Sequence, residues 1–489
     1  MIFLFSMAFY LFTLAPGTFW SDPAQLTNRS LDGWEMSPDA RHYPLFTAVA
    51  KILVQPFVPL RDLAYGMNVL DALFGALALV LLYRLVLALG ASRAAAAAGA
   101  CSLMIAHTIW QHCVVTEVYT LSLFLTLALM LPAVLWTKEK PGYLYLSLFM
   151  FGFGFFQHRF HILTVSPYFL YLWLKRNEFR RKDLTWGVGC FFIGLLPIIV
   201  ISMQYLFSGH SLGNLIHDYL FSKGKDWEKP ITGVDWRRFG DDAVYMSAFF
   251  VYNFVGLALP LGFAGLFRSF RVARKEAWLL AGLAATGFAF SFDYNIGEKW
   301  QFFMPMYLIF AIWVGLGADW LLNRLGARRR LAAAAMLSAL FVIPIFTYWA
   351  TPLVLNRMNL NPFKVAEARE YHEIFFNPNL HHYARPLLYS QRVFEVVPPG
   401  SILLGDYAAY QVLLYYQRTR GLGREVRLVF LDYFEAPLLE NQLKGLGNKK
   451  PIYLALWPYH KLYVAESLLR LSHRADLEEP IFRVDKAFY

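Results

Sequence analysis

Runs of about 20 apolar residues, each long enough to cross a bilayer, recur along the first three quarters of the chain. Judged by apolar length, they fall at roughly 2–19, 63–89, 94–111, 115–136, 143–158, 161–174, 185–207, 243–267, 277–294, 301–322 and 331–350. This predicts a polytopic α-helical membrane protein with about 11 transmembrane helices. Composition agrees: 57% of the 489 residues are hydrophobic and only 16% are charged, against about 25% charged in soluble domains. The formal net charge of +11 does not point to nucleic acid, because the basic residues sit in short clusters between the apolar runs. That is the pattern of topology determinants.

With the N-terminus in the cytoplasm, the first inner loops carry Arg93, then Lys138 and Lys140, then Lys175, Arg176, Arg180, Arg181 and Lys182. The later ones carry Arg268, Arg271, Arg274 and Lys275, and then Arg324, Arg328, Arg329 and Arg330. Every inner loop is therefore basic, as the positive-inside rule requires. Residues beyond about 351 then lie outside the cytoplasm: in the periplasm for a bacterial inner membrane, in the ER lumen for a eukaryote. "MIFLFSMAFYLFTLAPG" has no basic leader and no small-residue cleavage site, so it reads as a retained first span. Cys101, Cys113 and Cys190 form neither a CxxC nor a metal-ligand spacing.

The chain changes character after the last span. Short β-rich runs, Ile402–Leu404, Val426–Leu431 and Ile452–Leu456, alternate with longer segments of helical periodicity. This predicts a small C-terminal extracytoplasmic α/β domain with a largely parallel sheet. Two regions follow: a transmembrane module over 1–350, with outer loops at about 20–62 and 208–242, and a soluble domain over 351–489 whose first part, 353–397, reads as a helical connector.

Polar residues near the membrane gather on the outer side. They include Asp22, Gln25 and His42 in the first loop, and His107, His112, Glu117 and Tyr119 in "HTIWQHCVVTEVYTL". They continue with His158, Arg159 and His161 in "QHRFH", and with Asp293, Asn295, Glu298 and Lys299 in "FDYNIGEKWQFFMP". The 208–242 loop adds Lys223, Lys225, Trp227, Trp236, Arg237 and Arg238. Taken singly, each has an ordinary reading as an interfacial residue that snorkels to water. Four loops of one sign of placement suggest a shared polar cavity. Asp22 follows the first span closely and could serve as a general base, or simply start a helix before Pro23. Glu117 could partner a helix dipole, and the His-Arg-Phe-His run suits a phosphate oxyanion. Asp406 and Asp432 end predicted strands, but no Gly-rich loop accompanies them, so both read as structural.

The stretches "SDPAQL", "HYPLFTAVAKIL", "GMNVLDALFGALALVLLYRL", "IWQHCVVTEVYTLSLF", "GFGFFQHRFHILTVSPY" and "NIGEKWQFFMPMYLIFAIWVGLG" follow one another in an order that resembles one family. It is the GT-C-class membrane glycosyltransferases related to the animal transmembrane protein O-mannosyltransferases of plexin-type receptors. The resemblance implies a polyprenyl-phosphate sugar as donor and transfer on the extracytoplasmic face. Its acidic first-loop motif places its Asp on Asp22, and its Tyr-Pro-Leu on Tyr43, Pro44 and Leu45. Its Asn falls on Asn68, its Glu-Val-Tyr-Thr on Glu117 to Thr120, its span-opening His on His158 and its late acid on Glu298. The second acid of the first motif is replaced here by Gln25, which points to metal-independent transfer.

These readings combine into one expectation. Asp22 acts as general base for transfer of mannose or a similar hexose to an acceptor hydroxyl, with protein Ser/Thr favoured. Gln25, His42, Tyr43, Glu117, Tyr119 and Glu298 contact substrate, while His158, Arg159, His161 and Lys299 bind the donor phosphate. No metal and no cofactor beyond the lipid-linked donor is expected; the partners are that donor, a protein or glycan acceptor and the bilayer. Three other readings keep the same sequence features: a transferase acting on a cell-envelope glycan or lipid, a lipid or solute transporter, and a catalytically inactive scaffold, which Gln25 would suit.

Overall fold

The computed structural model describes residues 1–34, 37–39, 42–56, 62–221, 239–294, 299–365, 367–431, 451–459, 471–474 and 481–484. Glu298, Asn295, Asp432 and the basic and aromatic residues of 223–238 lie outside them.

Nineteen α-helices run through these residues in chain order. The first eight are α1 (Ile2–Thr13), α2 (Asp22–Leu31), α3 (Pro44–Leu53), α4 (Leu63–Ala88), α5 (Arg93–Ile105), α6 (His107–Val114), α7 (Tyr119–Leu135) and α8 (Gly142–Gly154). Next come α9 (Val165–Leu174), α10 (Arg181–Phe207), α11 (Leu212–Phe221), α12 (Phe239–Asn253), α13 (Ala258–Val272), α14 (Arg274–Asp293), α15 (Met304–Arg324) and α16 (Arg329–Arg357). The last three, α17 (Ala368–Phe376), α18 (Arg385–Val396) and α19 (Tyr407–Arg420), lie beyond the apolar spans.

Four helical spans among the described residues are long and apolar enough to cross a membrane, and six if two sharply bent pairs each count as one span. The eleven spans read from apolar length are thus not reproduced as eleven full-length helices. The run at 2–19 is helical only over 12 residues, about 18 Å of rise against a hydrocarbon core of about 30 Å. The run at 243–267 is two helices, α12 and α13, bent by 98°. Gly256 takes a left-handed φ of 73° at that break, a conformation glycine adopts without a Cβ penalty. Helices α6 and α7 meet at 115°.

α15 forms the centre of the bundle. It is apolar all round and almost wholly buried, as a helix without a polar face must be. Glycines let its neighbours approach: a Cβ on Gly99 of α5 would lie 2.8 Å from the Ala311 carbonyl oxygen. The outermost long helix, α10, shows Trp186, Phe192, Ile193 and Leu196 at its surface. It meets α8 through Gly152 and Gly194, where a Cβ would lie 2.3 Å and 2.2 Å from facing backbone oxygens. Small residues at such crossings are the usual means of close packing between helices in lipid.

The C-terminal region carries a five-stranded sheet in the order β2-β1-β3-β5-β4. Its strands are β1 (Ile402–Gly405), β2 (Arg427–Phe430), β3 (Ile452–Ala455), β4 (Leu471–Arg474) and β5 (Ile481–Val484). The three strands predicted from β-rich runs pair in parallel, with Ile402 opposite both Arg427 and Ile452. β4 and β5 add an antiparallel edge that the sequence pattern did not single out. The connector docks on the bundle: Leu380 N–H donates to the Thr13 carbonyl at 3.1 Å, and Tyr252 Oη–H to that of Phe376 at 3.0 Å.

Candidate active site

Pro23 at the first turn of α2 fixes the helix start, and Ser21 before it holds φ 62° and ψ −123°. A non-glycine residue in that region costs about 1–3 kcal/mol and persists only where its surroundings impose it. The strained turn sets Asp22 at the head of α2, the exposed residue of an otherwise largely buried helix. Its Oδ1 accepts a hydrogen bond from the Tyr407 hydroxyl at 2.5 Å.

Asp22 opens on a cavity of about 310 Å³ that Glu117, Gln111, His112 and Gln301 line with polar groups. Trp300, Tyr371, Phe375 and Trp457 supply aromatic walls. This volume is at the small end of the range for small-molecule sites, and a mixture of aromatic walls with a few convergent polar groups is typical of them.

Two side chains of α4 build the wall that carries Glu117. Asn68 donates to the carbonyls of Ala15 (3.0 Å) and Gly17 (2.9 Å) and accepts from Thr116 Oγ1 at 2.7 Å. One turn on, Asp71 accepts from the Glu117 N–H at 3.0 Å and from the Thr120 hydroxyl. The break between α6 and α7 is thus held open from inside the bundle, and Asn68 also anchors the chain leading to Asp22. Full burial of Asp71 is tolerable because these donors replace water. Sequence reasoning missed Asp71, although a carboxylate inside "NVLDALFGALALV" is itself a signal for an intramembrane role.

Next to the polar cavity is an apolar groove lined by Leu123, Leu125, Phe160, Leu163, Phe302 and Ile309 among others. Gln301 borders both spaces, and its Oε1 is 3.2 Å from His112 Nε2. Tyr119, His158 and His161 also line the groove. The His158 ring stacks on Tyr43 with centroids 5.2 Å apart. Its Nδ1 accepts from the Phe160 N–H at 3.0 Å, which leaves Nε2 to carry a donating proton. Burial, and then the nearby Asp22 carboxylate, hold the Tyr43 phenol above its ordinary range, so that it stays neutral.

The remaining expected site residues are placed differently. Lys299 is buried with Nζ on Asp242 at 2.7 Å and on the Phe292 carbonyl at 3.3 Å, so its charge is already matched. Arg159 donates to the Leu220 carbonyl at 2.8 Å, and His161 bonds the Phe151 carbonyl at 3.0 Å. His42 faces Asp39 at 3.6 Å and is not among the residues that line the cavity. Gln25 reaches the site through Tyr407, whose hydroxyl is 3.1 Å from Gln25 Oε1. Asp406 is structural, as read: Oδ1 caps α19 through the Ala409 N–H, and Oδ2 takes the Trp457 N–H at 2.7 Å.

This architecture is GT-C-like. The apo structure of ArnT from Cupriavidus metallidurans superposes with a TM-score of 0.63 at 12% identity, over 99% of this chain and 96% of that one. ArnT bound to undecaprenyl phosphate gives 0.61 at 14% identity, over 99% and 98%. At such identity the likeness is one of fold.

Within that class the sequence narrows further. Residues 40–181 match the family model of the Protein O-mannosyl-transferase TMEM260 N-terminal domain. Protein O-mannosyl-transferase TMEM260 of Mus musculus is 29% identical over 170 residues, 33% of this chain and 24% of the mouse protein. The resemblance carried by the motifs is shown over this segment, and the match spans about a quarter of the mouse relative's length.

Proposed function

We propose that this membrane protein is a glycosyltransferase that moves mannose or a similar hexose from a polyprenyl-phosphate donor to an acceptor hydroxyl, with protein Ser/Thr as the favoured acceptor. One observation carries the reading: the Asp22 carboxylate opens on a polar, aromatic-walled cavity that shares Gln301 with an apolar groove. A sugar on a lipid phosphate has these two halves. In the proposed reaction the acceptor oxygen attacks the anomeric carbon while Asp22 takes its proton. The bond from that carbon to the phosphate oxygen breaks, and the lipid phosphate leaves with the electron pair.

Glu117, Gln111 and His112 would orient the sugar hydroxyls. Of the four basic residues expected to meet the phosphate, His158 is the one the geometry favours, because it lines the groove and its Nε2 is left to donate. Charge developing on the leaving phosphate is where preorganised donors act most strongly. The undecaprenyl phosphate in the ArnT structure and the O-mannosyl-transferase relative support a lipid-phosphate donor and a hydroxyl acceptor. The positive-inside pattern supports an extracytoplasmic site.

Transfer is proposed to need no metal, since an amide, Gln25, stands where the family has its second acid. Purified protein given polyprenyl-phosphate mannose should label Ser/Thr-rich peptides in preference to glycans or lipids, at a rate unchanged by EDTA. Loss of transfer with EDTA would overturn the metal-independent reading. Lipid movement between vesicle leaflets, with no sugar transferred to any acceptor, would favour the transporter.

A further inference from the structure

The contact between Asp22 and Tyr407 joins two parts of the chain separated by 385 residues. Tyr407 opens α19, whose start is fixed by Asp406, and Asp406 is tied in turn to the loop after β3 through Trp457. Further polar contacts surround it where α2 meets α19. Asn28 Nδ2 donates to the Gln411 carbonyl at 2.8 Å, and Arg418 pairs with Asp32 at 2.7 Å. Tyr415 donates to Asp62 at the head of α4, and its oxygen accepts the Ala64 N–H at 3.1 Å. These contacts leave α19 little freedom to shift against the helix that carries Asp22.

Burial, and then the Asp22 charge, hold the Tyr407 phenol well above its ordinary range, so it keeps its proton and acts as a donor. That single proton goes to the nearer oxygen, Asp22 Oδ1 at 2.5 Å, not to Gln25 Oε1 at 3.1 Å. With the Gln25 amide turned over, its N–H₂ donates to the phenol oxygen and all three groups are satisfied; which way an amide points is an assignment of this kind. A carboxylate at position 25 could not make that second bond. The amide at this position and the tyrosine therefore suit each other.

We propose that Tyr407 is a positioning residue of the catalytic centre: its hydroxyl, backed by Gln25, holds one oxygen of the Asp22 carboxylate and leaves the other to meet the acceptor hydroxyl. The C-terminal region then completes the site, beyond any part it plays in holding an acceptor. This rests on the reading of Asp22 as the base. Small misplacements of a reacting group cost up to about 100-fold in rate.

The test uses the full chain with polyprenyl-phosphate mannose and a Ser/Thr-rich peptide. Tyr407→Phe keeps the ring and removes the hydroxyl. It is expected to lower kcat about 10- to 100-fold with the KM for donor unchanged, and to cost nothing further in an Asp22→Ala background. An unchanged kcat, or a loss that adds to that of Asp22→Ala, would overturn the proposal. If the wild type transfers no sugar, the functional reading fails by itself, and the tie is decided by thermal unfolding of the same four proteins. Midpoint losses that do not add support it, and losses that sum overturn it.

Discussion

Asp22→Asn is expected to give a folded protein that transfers sugar about 10²- to 10⁴-fold more slowly than the wild type, the range typical of losing a positioned general base. The substitution keeps the shape of the side chain and an oxygen that can still accept from Tyr407. The strained turn at Ser21 and the head of α2 should therefore persist. What is lost is the ability to take a proton from the attacking hydroxyl. Turnover by both proteins, with thermal unfolding as the control for folding, checks it. A variant with near-normal turnover would remove Asp22 from the chemistry.

The largest effect on stability is expected from Gly317→Val. Helices α13 and α15 cross with backbones in contact. A Cβ on Gly317 would lie 1.9 Å from the Leu261 carbonyl oxygen, and one on Gly265 1.7 Å from that of Trp313. Both obstacles are backbone, so no side chain can swing aside, and α15 is held on its other side where Gly315 faces Val86 and Ala95. Overpacking of a tight core costs about 1–3 kcal/mol and occasionally more; here the upper end is expected. The yield of folded protein and the unfolding midpoint should both fall well below those of Gly240→Val, because nothing lies within 4 Å of a Cβ at Gly240. Equal stability of the two variants would contradict the close crossing.

Membrane residence and the parallel strands were legible because each is written in local pattern. The bends were not. Apolar length carries straight through the break at 254–257, since an isolated glycine inside a helical pattern is tolerated and Gly256 gives no other warning. The break before α7 depends on Asn68 and Asp71 reaching across from another helix. Lys299 and Arg159 read as phosphate ligands from residue type alone, and their partners Asp242 and Leu220 are 57 and 61 residues away. Tyr407 had no local signature either, because its role exists only where α19 meets α2.

The most direct measurement is a structure of the protein with polyprenyl phosphate bound. The phosphate is expected within hydrogen-bonding reach of His158 Nε2, with the lipid chain along the groove past Leu123 and Phe160 and open space beside Asp22. Lipid bound elsewhere, with the cavity beside Asp22 closed off, would contradict that expectation.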